Sequence, residues 1–312
     1  MVLFAKQMPP AGERDKILTS PIAVESVELT AAEQSVLTSR ATAIDYPMLS
    51  QMHPVGSYQR ELPVSLARMI ENAFDWEHLP FVHPGSFVAI ALAGEGNWGW
   101  RAKVQLPGES GGTQLIELLV DRPANSWVTT VVEGPGAGIR IHTVATARAG
   151  GGIAIDVRFL LPACRDDAGQ EAMIRAILES QYATLYDEDE ALMVARQEAL
   201  DRRSRQSGAG LARHDFGPEA ELDRDRSYPF RLATGSFVVR YHGGRWLAHA
   251  ATCPHMLGPL SDTAIAPDGR ITCPWHGYRF SLADGTEQHG RCGPLARAPD
   301  LALSGGHLIA TA

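Results

Sequence analysis

The pattern of hydrophobic and polar positions divides the 312-residue chain into a strand-rich part, a long helical part and a second strand-rich part. Between residues 87 and 161, short apolar runs alternate with Gly, Pro or Asp turns, which is typical of antiparallel strands. Residues 64–83 are mostly helical, with Pro80 interrupting, and residues 167–205 predict one long helix. The six predicted strands are Phe87–Ala93, Trp100–Leu106, Gln114–Val120, Ser126–Glu133, Gly138–Ala147 and Ile153–Leu160.

A change of composition near residue 205 predicts a domain boundary. The stretch is charged, then glycine-rich, then polar, as in exposed linkers. Downstream, Ser236–Tyr241 and Arg245–Ala248 flank His242-Gly243-Gly244, which predicts a β-hairpin. We therefore expect an α+β protein with a first domain at 1–205, a linker at 206–220 and a small all-β domain at 221–312.

Composition narrows the class of protein. Hydrophobic content of 45% with 21% charged residues is ordinary for a globular protein, and a net charge of −8 argues against nucleic acid as a partner. No apolar stretch approaches the length of a membrane span or signal peptide, so neither is predicted. Four cysteines are too few for a disulfide framework, which favours a reducing cytoplasm. We assign no chemistry to Cys164, and Cys292 is interpreted as a small loop residue.

A glycine-rich segment resembles a nucleotide-binding motif but fails the structural requirement for one. Gly94-Glu95-Gly96-Asn97-Trp98-Gly99 fits GxGxxG. That motif needs a helix opening at the third glycine, whereas Trp100 to Val104 continues as a strand. We interpret the segment as a hairpin turn.

Paired cysteines and histidines are the most specific chemical signal. Cys253-Pro254-His255 and Cys273-Pro274-Trp275-His276 are separated by seventeen residues. Two Cys on one iron and two His on the other are the ligands of a Rieske [2Fe–2S] cluster. A structural zinc site is the alternative, but it usually pairs Cys with Cys and His with His. Gly258 and Gly277 follow the two pairs and would let the loops close over a cluster. The predicted cluster ligands are Cys253, His255, Cys273 and His276.

Residues 218–312 resemble the Rieske domains of bacterial ferredoxins and ring-hydroxylating oxygenases. Some respiratory Rieske proteins carry an extra disulfide between the two ligand loops. Here Gly258 stands where that cysteine is expected. The resemblance therefore implies a cluster of the low-potential type.

A second candidate metal site lies in residues 71–83. His78 and His83 are five residues apart, so they cannot share one face of a regular helix. Pro80 breaks the turn between them and permits the two rings to converge. Two His and one carboxylate form the facial triad of non-haem Fe(II) oxygenases. The alternative is that both are surface or hydrogen-bonded histidines.

The carboxylate must come from elsewhere, and the acidic run at residues 186–192 offers candidates. Ile174, Leu178, Leu185 and Leu192 form an apolar stripe along the predicted helix. At 100° per residue, Asp189 lies close to that stripe and Glu188 lies at its margin. Asp187 and Glu190 point away and are interpreted as a solvated face.

The two motifs together resemble the Rieske non-haem iron oxygenases, whose segment Asp-x-x-His-x-x-x-x-His matches Asp75, His78 and His83. The resemblance implies that His78, His83 and Asp189 bind Fe(II), because Glu188-Asp189 and Gln197 fit the family's last helix. It also implies that Asp75 carries electrons from a Rieske histidine, and that the catalytic domain is a helix-grip (START/Bet v1-like) fold. The order of the two domains is reversed here, since the family's Rieske domain usually comes first.

The resemblance implies an oxygenase. A reductase or ferredoxin would reduce the [2Fe–2S] cluster, and the electron would pass through His276 and Asp75 to Fe(II). We hypothesise that Asp75 accepts the free N–H of His276. Iron and O₂ would then hydroxylate or demethylate a small aromatic or hydrophobic substrate, as mono- or dioxygenase. Family members form rings, so a homo-oligomer, a trimer by resemblance, is expected. The rival is an electron-transfer protein with a ligand-binding, non-catalytic N-terminal domain. A zinc hydrolase lacks a general-base motif such as H-E-x-x-H.

Overall fold

The computed structural model describes residues 43–108, 111–163, 167–205 and 211–312. Cys164 and residues 206–210 of the predicted linker lie outside this part. The described residues form two compact units, which divide between Val194 and Ala195. Together they have the α+β composition expected from the sequence, with a large antiparallel sheet and a long helix in addition to small C-terminal sheets.

The first unit is built on one seven-stranded antiparallel sheet with the order β1-β7-β6-β5-β4-β3-β2. Six of these strands confirm the predicted ones to within a few residues. The remaining strand, β1, was not predicted, because its sequence contains Pro, Gly and alternating polar residues. The strands are β1 His53–Leu62, β2 Ala89–Gly96, β3 Gly99–Gln105, β4 Thr113–Asp121, β5 Ser126–Glu133, β6 Arg140–Ala147 and β7 Ile153–Leu161.

Strand β7 shows how the sheet obtains its core. It pairs with β1 on one side and β6 on the other. Ile155, Val157 and Phe159 alternate along it and are fully buried. Burying a side chain of this size contributes roughly 1.5–3 kcal/mol each. The period of two therefore directs one face of the sheet towards the core.

The glycine-rich segment is a hairpin turn, as predicted. Gly96 pairs with Gly99 at the end of the β2–β3 hairpin. Gly99 has φ of +137°, and a Cβ atom there would stand 1.8 Å from the carbonyl oxygen of Leu118. Glycine is required by this close approach to the neighbouring strand rather than by a phosphate.

The predicted helical segment at 64–83 is broken earlier than expected. Helix α1 (Tyr46–Gln51) precedes β1. Helix α2 (Leu66–Phe74) begins after Ser65. The Ser65 hydroxyl caps this helix by accepting the N–H of Arg68 at 3.2 Å. The helix ends at Asp75, which leaves helical geometry with ψ of 79°. A short 3₁₀ turn and helix α3 (Leu79–Val82) follow, with Pro80 in the first turn of α3. The prediction that Pro80 breaks the turn was therefore wrong, since proline is well tolerated at a helix start.

The long helix predicted at 167–205 is present as α4 (Ala168–Ser204). It packs on the sheet through aromatic rings: Tyr182 meets Phe159 edge-on at 5.2 Å, and Tyr186 stacks on Tyr58 at 6.0 Å. The sheet and its long helix agree with the helix-grip fold that was expected.

The second unit consists of three small antiparallel sheets, as predicted for an all-β domain. Gly243 and Gly244 both have positive φ in the turn of the predicted hairpin, as a two-residue type I′ turn requires. The sheets are β9 (Tyr228–Leu232), β10 (Gly235–His242) and β11 (Arg245–Ala250); β12 (Arg270–Thr272) and β13 (Arg279–Ser281); and β8 (Arg213–Pro218), β15 (His307–Thr311) and β14 (Asp300–Ser304). Strand β8 lies in the stretch predicted as a linker and pairs with β15.

Among the described helices, none is long and apolar enough to cross a membrane.

Candidate metal centres

Three predicted ligands converge in the first unit. The Nε2 atoms of His78 and His83 are 3.2 Å apart, and Asp189 Oδ1 lies 3.3 Å from the first and 3.0 Å from the second. Both imidazoles are buried, with 2% and 1% of their surface exposed. The triad that was assembled from two distant parts of the sequence is therefore one cluster.

A second carboxylate stands behind each imidazole. Glu188 Oε2 lies 2.8 Å from Nδ1 of His83, and Asp75 Oδ2 lies 3.6 Å from Nδ1 of His78. Histidine ligands commonly donate the other ring N–H to a carboxylate, which fixes the tautomer and leaves Nε2 as a donor to metal. The His83 ring is held in this way with Nε2 turned towards Asp189, whereas Asp75 stands beyond hydrogen-bond distance from Nδ1 of His78.

Charge in this cluster favours a cation. Burial alone would lower the pKa of His78, but its contacts with Asp189 and Asp75 raise that pKa to about 10. Burial alone would raise the pKa of Asp189, but hydrogen bonds to the two imidazoles lower that pKa below its usual range. The donors therefore favour positive charge at the point where they meet.

The donor set fits a first-row transition metal. Separations of 3.0–3.3 Å between the three donor atoms are those expected of ligands with bonds of about 2.1 Å. One ligand atom from each of His78, His83 and Asp189 can therefore bind the same metal ion. Two imidazoles and one carboxylate are the set typical of non-haem iron.

Helical register explains why Asp189 rather than its acidic neighbours enters the cluster. Asp187 and Glu190, which were predicted to face solvent, both pair with Arg60 of β1, the second at 2.6 Å. Arg60 thereby holds this turn of α4 against the edge strand. Asp189 and Glu188 are left to face His83 from the same turn.

The second centre is formed by two loops with the same backbone. In the first, Leu257 donates its N–H to the carbonyl of Cys253, whose own N–H binds the carbonyl of Gly258. In the second loop, Gly277 donates its N–H to the carbonyl of Cys273, and the N–H of Cys273 donates to the carbonyl of Tyr278. The residue four positions after each cysteine is left-handed, with φ of +62° at Leu257 and +65° at Gly277. The role predicted for Gly277 agrees with this geometry.

Gly258 acts by close approach rather than by its dihedral angles. A Cβ atom there would stand 2.7 Å from Sγ of Cys273 and 3.2 Å from the ring of Trp275. Cys253 and Cys273 are almost fully buried, and His276 is 1% exposed. The rings of His255 and His276 lie 4.6 Å apart. All four predicted ligands therefore gather at one end of the two loops.

The two thiols interact directly. The pKa of Cys273 is lowered to about 5, because Cys253 and then His276 hydrogen-bond to its sulfur. The pKa of Cys253 is raised by the same contact and by burial. Two interacting thiols beside two imidazoles match the donor set of a [2Fe–2S] cluster with mixed ligands.

Two further side chains lie beside these ligands, Tyr278 from the second loop and Arg291 from a third. The Tyr278 ring is tilted by 39° against His255, with ring centroids 4.6 Å apart, and lies 6.0 Å from His276. The guanidinium of Arg291 lies over the Tyr278 ring, 3.8 Å from its centroid. Arg291 also donates to the carbonyl of His276 at 3.4 Å.

Comparison with known families identifies this part of the chain. Residues 213–299 match the family described as the Rieske [2Fe-2S] domain. The C-terminal unit carries a Rieske domain. The Rieske domain begins at the first residue of β8 and includes all four predicted ligands, so the prediction of a C-terminal Rieske cluster is confirmed.

Two curated relatives share this region. Chloroplastic pheophorbide a oxygenase from Arabidopsis thaliana is 32% identical over 87 residues, which are 27% of this chain and 14% of the relative. The same enzyme from Oryza sativa subsp. japonica is 33% identical over 87 residues, 27% of this chain and 15% of the relative. The chain therefore matches about a seventh of the length of these oxygenases.

Two solved structures are similar to parts of the chain. The ferredoxin of carbazole 1,9a-dioxygenase from Nocardioides aromaticivorans IC177 is 20% identical, covers 32% of this chain and 97% of its own, and has a TM-score of 0.29. Ara h 8.0201 is 18% identical, covers 46% of this chain and 98% of its own, and has a TM-score of 0.34. Similarity at this level says nothing about activity.

Sequence reasoning missed the residues that surround the ligands. Glu188 was placed at the margin of the apolar stripe, Arg60 belongs to the strand that was not predicted, and Arg291 was not singled out. The position of Glu188 next to Asp189 in the sequence was a signal that could have identified it. The positions of Arg60 and Arg291 depend on contacts between distant parts of the chain.

Proposed function

We propose that the chain is a Rieske non-haem iron oxygenase with its Rieske domain at the C-terminus. The reaction would be hydroxylation or demethylation of a small aromatic or hydrophobic molecule with O₂. The observation that carries this proposal is the convergence of His78, His83 and Asp189 on a chain that also has a Rieske domain.

When bound, a [2Fe–2S] cluster and a mononuclear ferrous ion would supply single electrons and O₂ activation, respectively. The cluster would be held by Cys253, His255, Cys273 and His276. The ferrous ion would be held by His78, His83 and Asp189. A Rieske cluster transfers electrons without bond chemistry of its own, so an external reductase or ferredoxin is the proposed donor.

The residues of the first site have distinct tasks. His78, His83 and Asp189 would hold the metal ion with three donors, and a triad of this kind leaves coordination positions for O₂ and substrate. Glu188 holds the His83 ring from behind through Nδ1. Burial of both histidines keeps bulk water from the donors.

Asp75 is proposed as the residue through which electrons reach His78. Its carboxylate lies 3.6 Å from Nδ1 of that ligand, at the point where α2 ends. The same carboxylate would accept the N–H of a Rieske His276, within one chain or between chains of an oligomer. This assigns Asp75 to electron transfer rather than to binding of either metal.

A metal and sulfide count tests the proposal. Protein purified with both centres loaded is expected to contain about three irons and two sulfides per chain, since the cluster accounts for two of each. O₂ consumption against a panel of small aromatic substrates should accompany this ratio. A count of about two irons and two sulfides, with no further metal bound on adding Fe(II), would favour the rival electron-transfer protein.

Domain limits and assembly are part of the same proposal. We propose that residues 1–205 form the catalytic domain and that the Rieske domain follows a short connection. A homo-oligomer, in which a cluster serves its own chain or a neighbour's iron, is proposed by resemblance to the family.

A further inference from the structure

A loop between the two last sheets of the Rieske domain places one charged side chain beside the proposed ligands. Arg291 is exposed, and its guanidinium lies 3.8 Å from the centroid of the buried Tyr278 ring. The Tyr278 ring in turn contacts the ring of the proposed cluster ligand His255, with centroids 4.6 Å apart and planes tilted by 39°. A positive charge therefore stands one aromatic ring away from a histidine ligand.

Contacts to both the backbone and the guanidinium of Arg291 hold this side chain in place. The buried carboxylate of Glu287 accepts the backbone N–H of Arg291 at 2.9 Å and that of His289 at 2.9 Å, which fixes the loop. The guanidinium stacks on Tyr278 and also donates to the carbonyl of His276 at 3.4 Å. A planar guanidinium is well suited to stack on a ring while donating at its edge. The position of the charge is set by the fold rather than by solvent.

We infer that Arg291 raises the reduction potential of the Rieske cluster. Reduction adds one electron, so a nearby fixed cation stabilises the reduced form more than the oxidised form. At a separation on the order of 10 Å and an effective dielectric constant of about 20, Coulomb's law gives an effect on the order of tenfold in the reduction equilibrium. A tenfold change corresponds to about 59 mV for one electron.

This inference depends on the Rieske cluster alone and stands whether or not the first unit binds iron. It also assigns a function to the loop between β13 and β14, which contributes none of the four ligands. In this description Arg291 is a positioning residue that acts through Tyr278 and the field at His255. The adjoining Glu287 acts by holding the loop.

The test is a redox titration of the full chain monitored by EPR. Arg291→Gln is expected to lower the midpoint potential by about 59 mV, the tenfold effect above. Arg291→Lys keeps the charge and is expected to stay close to the unmodified protein. Arg245→Gln removes an exposed positive charge at the end of β11 away from the ligand loop, and it should leave the potential unchanged.

Other outcomes overturn the inference. An unchanged potential in Arg291→Gln, or an equal shift in Arg245→Gln, would show that this charge has no special influence. A fall in Arg291→Lys as large as in Arg291→Gln would assign the effect to packing rather than charge. Should Arg291→Gln fail to retain the cluster, Arg291→Met keeps an unbranched aliphatic chain over Tyr278 and is titrated instead. Added salt should then shrink the difference between Arg291→Met and the unmodified protein, because an exposed charge is screened.

Discussion

The two centres of this chain each use a pair of imidazoles, but their surroundings are opposite in charge. Carboxylates stand behind the histidines of the first unit, where Glu188 contacts His83 and Asp75 contacts His78. In the Rieske domain, the Tyr278 ring contacts His255, and the guanidinium of Arg291 lies over Tyr278. A site for a dication gains from nearby negative charge, whereas a centre that must accept an electron gains from positive charge. The contrast fits the proposal that the first centre holds a metal ion and the second takes up electrons.

The centres also differ in how their ligands are brought together. Cys253 and Cys273 are near in sequence and lie in two loops with matching hydrogen bonds. His83 and Asp189 are 106 residues apart and meet only when α4 packs on the sheet. The Rieske centre is therefore a local structure, and the triad depends on the complete first unit.

The largest expected effect comes from removing one ligand of each centre separately. Asp189→Ala should lower the iron content from about three to two per chain and abolish substrate oxidation, while the cluster spectrum persists. Cys273→Ser should remove the cluster but leave the triad able to bind one metal ion. Metal analysis and EPR measure both results. Loss of the cluster in Asp189→Ala would show that the centres are not independent.

Asp75→Asn should separate metal binding from electron transfer. We expect both centres to load and the cluster to be reduced normally, because Asp75 supplies no ligand. Substrate oxidation should fall by about 100-fold. This is the upper end of the loss expected when a group that supports a metal ligand is changed. Single-turnover kinetics with pre-reduced protein measures the fall. Full activity in this variant contradicts the role of Asp75.

A weaker effect is expected from the carboxylate behind His83. Glu188→Gln should lower affinity for Fe(II) by about 10–100-fold, because the amide is a poorer acceptor for the ring N–H at Nδ1. Glu190→Gln is the matched control, since Glu190 lies on the same turn but pairs with Arg60. Competition against a chelator measures the affinity. Equal losses in both variants would assign the effect to the stability of α4.

The smallest effect concerns the packing of the Rieske loops. Gly258→Ala should destabilise the domain by about 1–3 kcal/mol, because its Cβ atom would stand 2.7 Å from Sγ of Cys273. Gly293→Ala is the control, since a Cβ atom there meets nothing within 4 Å and its backbone is compatible with alanine. Thermal loss of the cluster absorbance compares the two. Equal stability would mean that the loops shift at no cost.

The residues that gather at the two candidate centres could be predicted from the sequence because their spacing carries chemistry. The Cys/His pairs specify a cluster on their own, and the helical period of α4 distinguishes Asp189 from Asp187. The break at Asp75 and strand β1 could not be predicted from pattern alone. The first arises from tertiary contacts of the residues after α2, and the second from pairing of a polar, Pro- and Gly-containing segment with β7. Contacts such as Arg60 with Glu190 depend on that unpredicted strand.

Pairing of β1 with β7 has a consequence for the order of folding. His53 pairs with Leu161, 108 positions along the chain, so this is a contact of high sequence separation. Contacts of this kind form slowly, because the entropy of closing the loop is lost before the pairing compensates for it. Since Arg60 of β1 anchors the turn that carries Asp189, the triad reaches its geometry only after this late step. Loading of the mononuclear metal should therefore follow completion of the sheet, whereas the two neighbouring ligand loops are available for cluster insertion earlier.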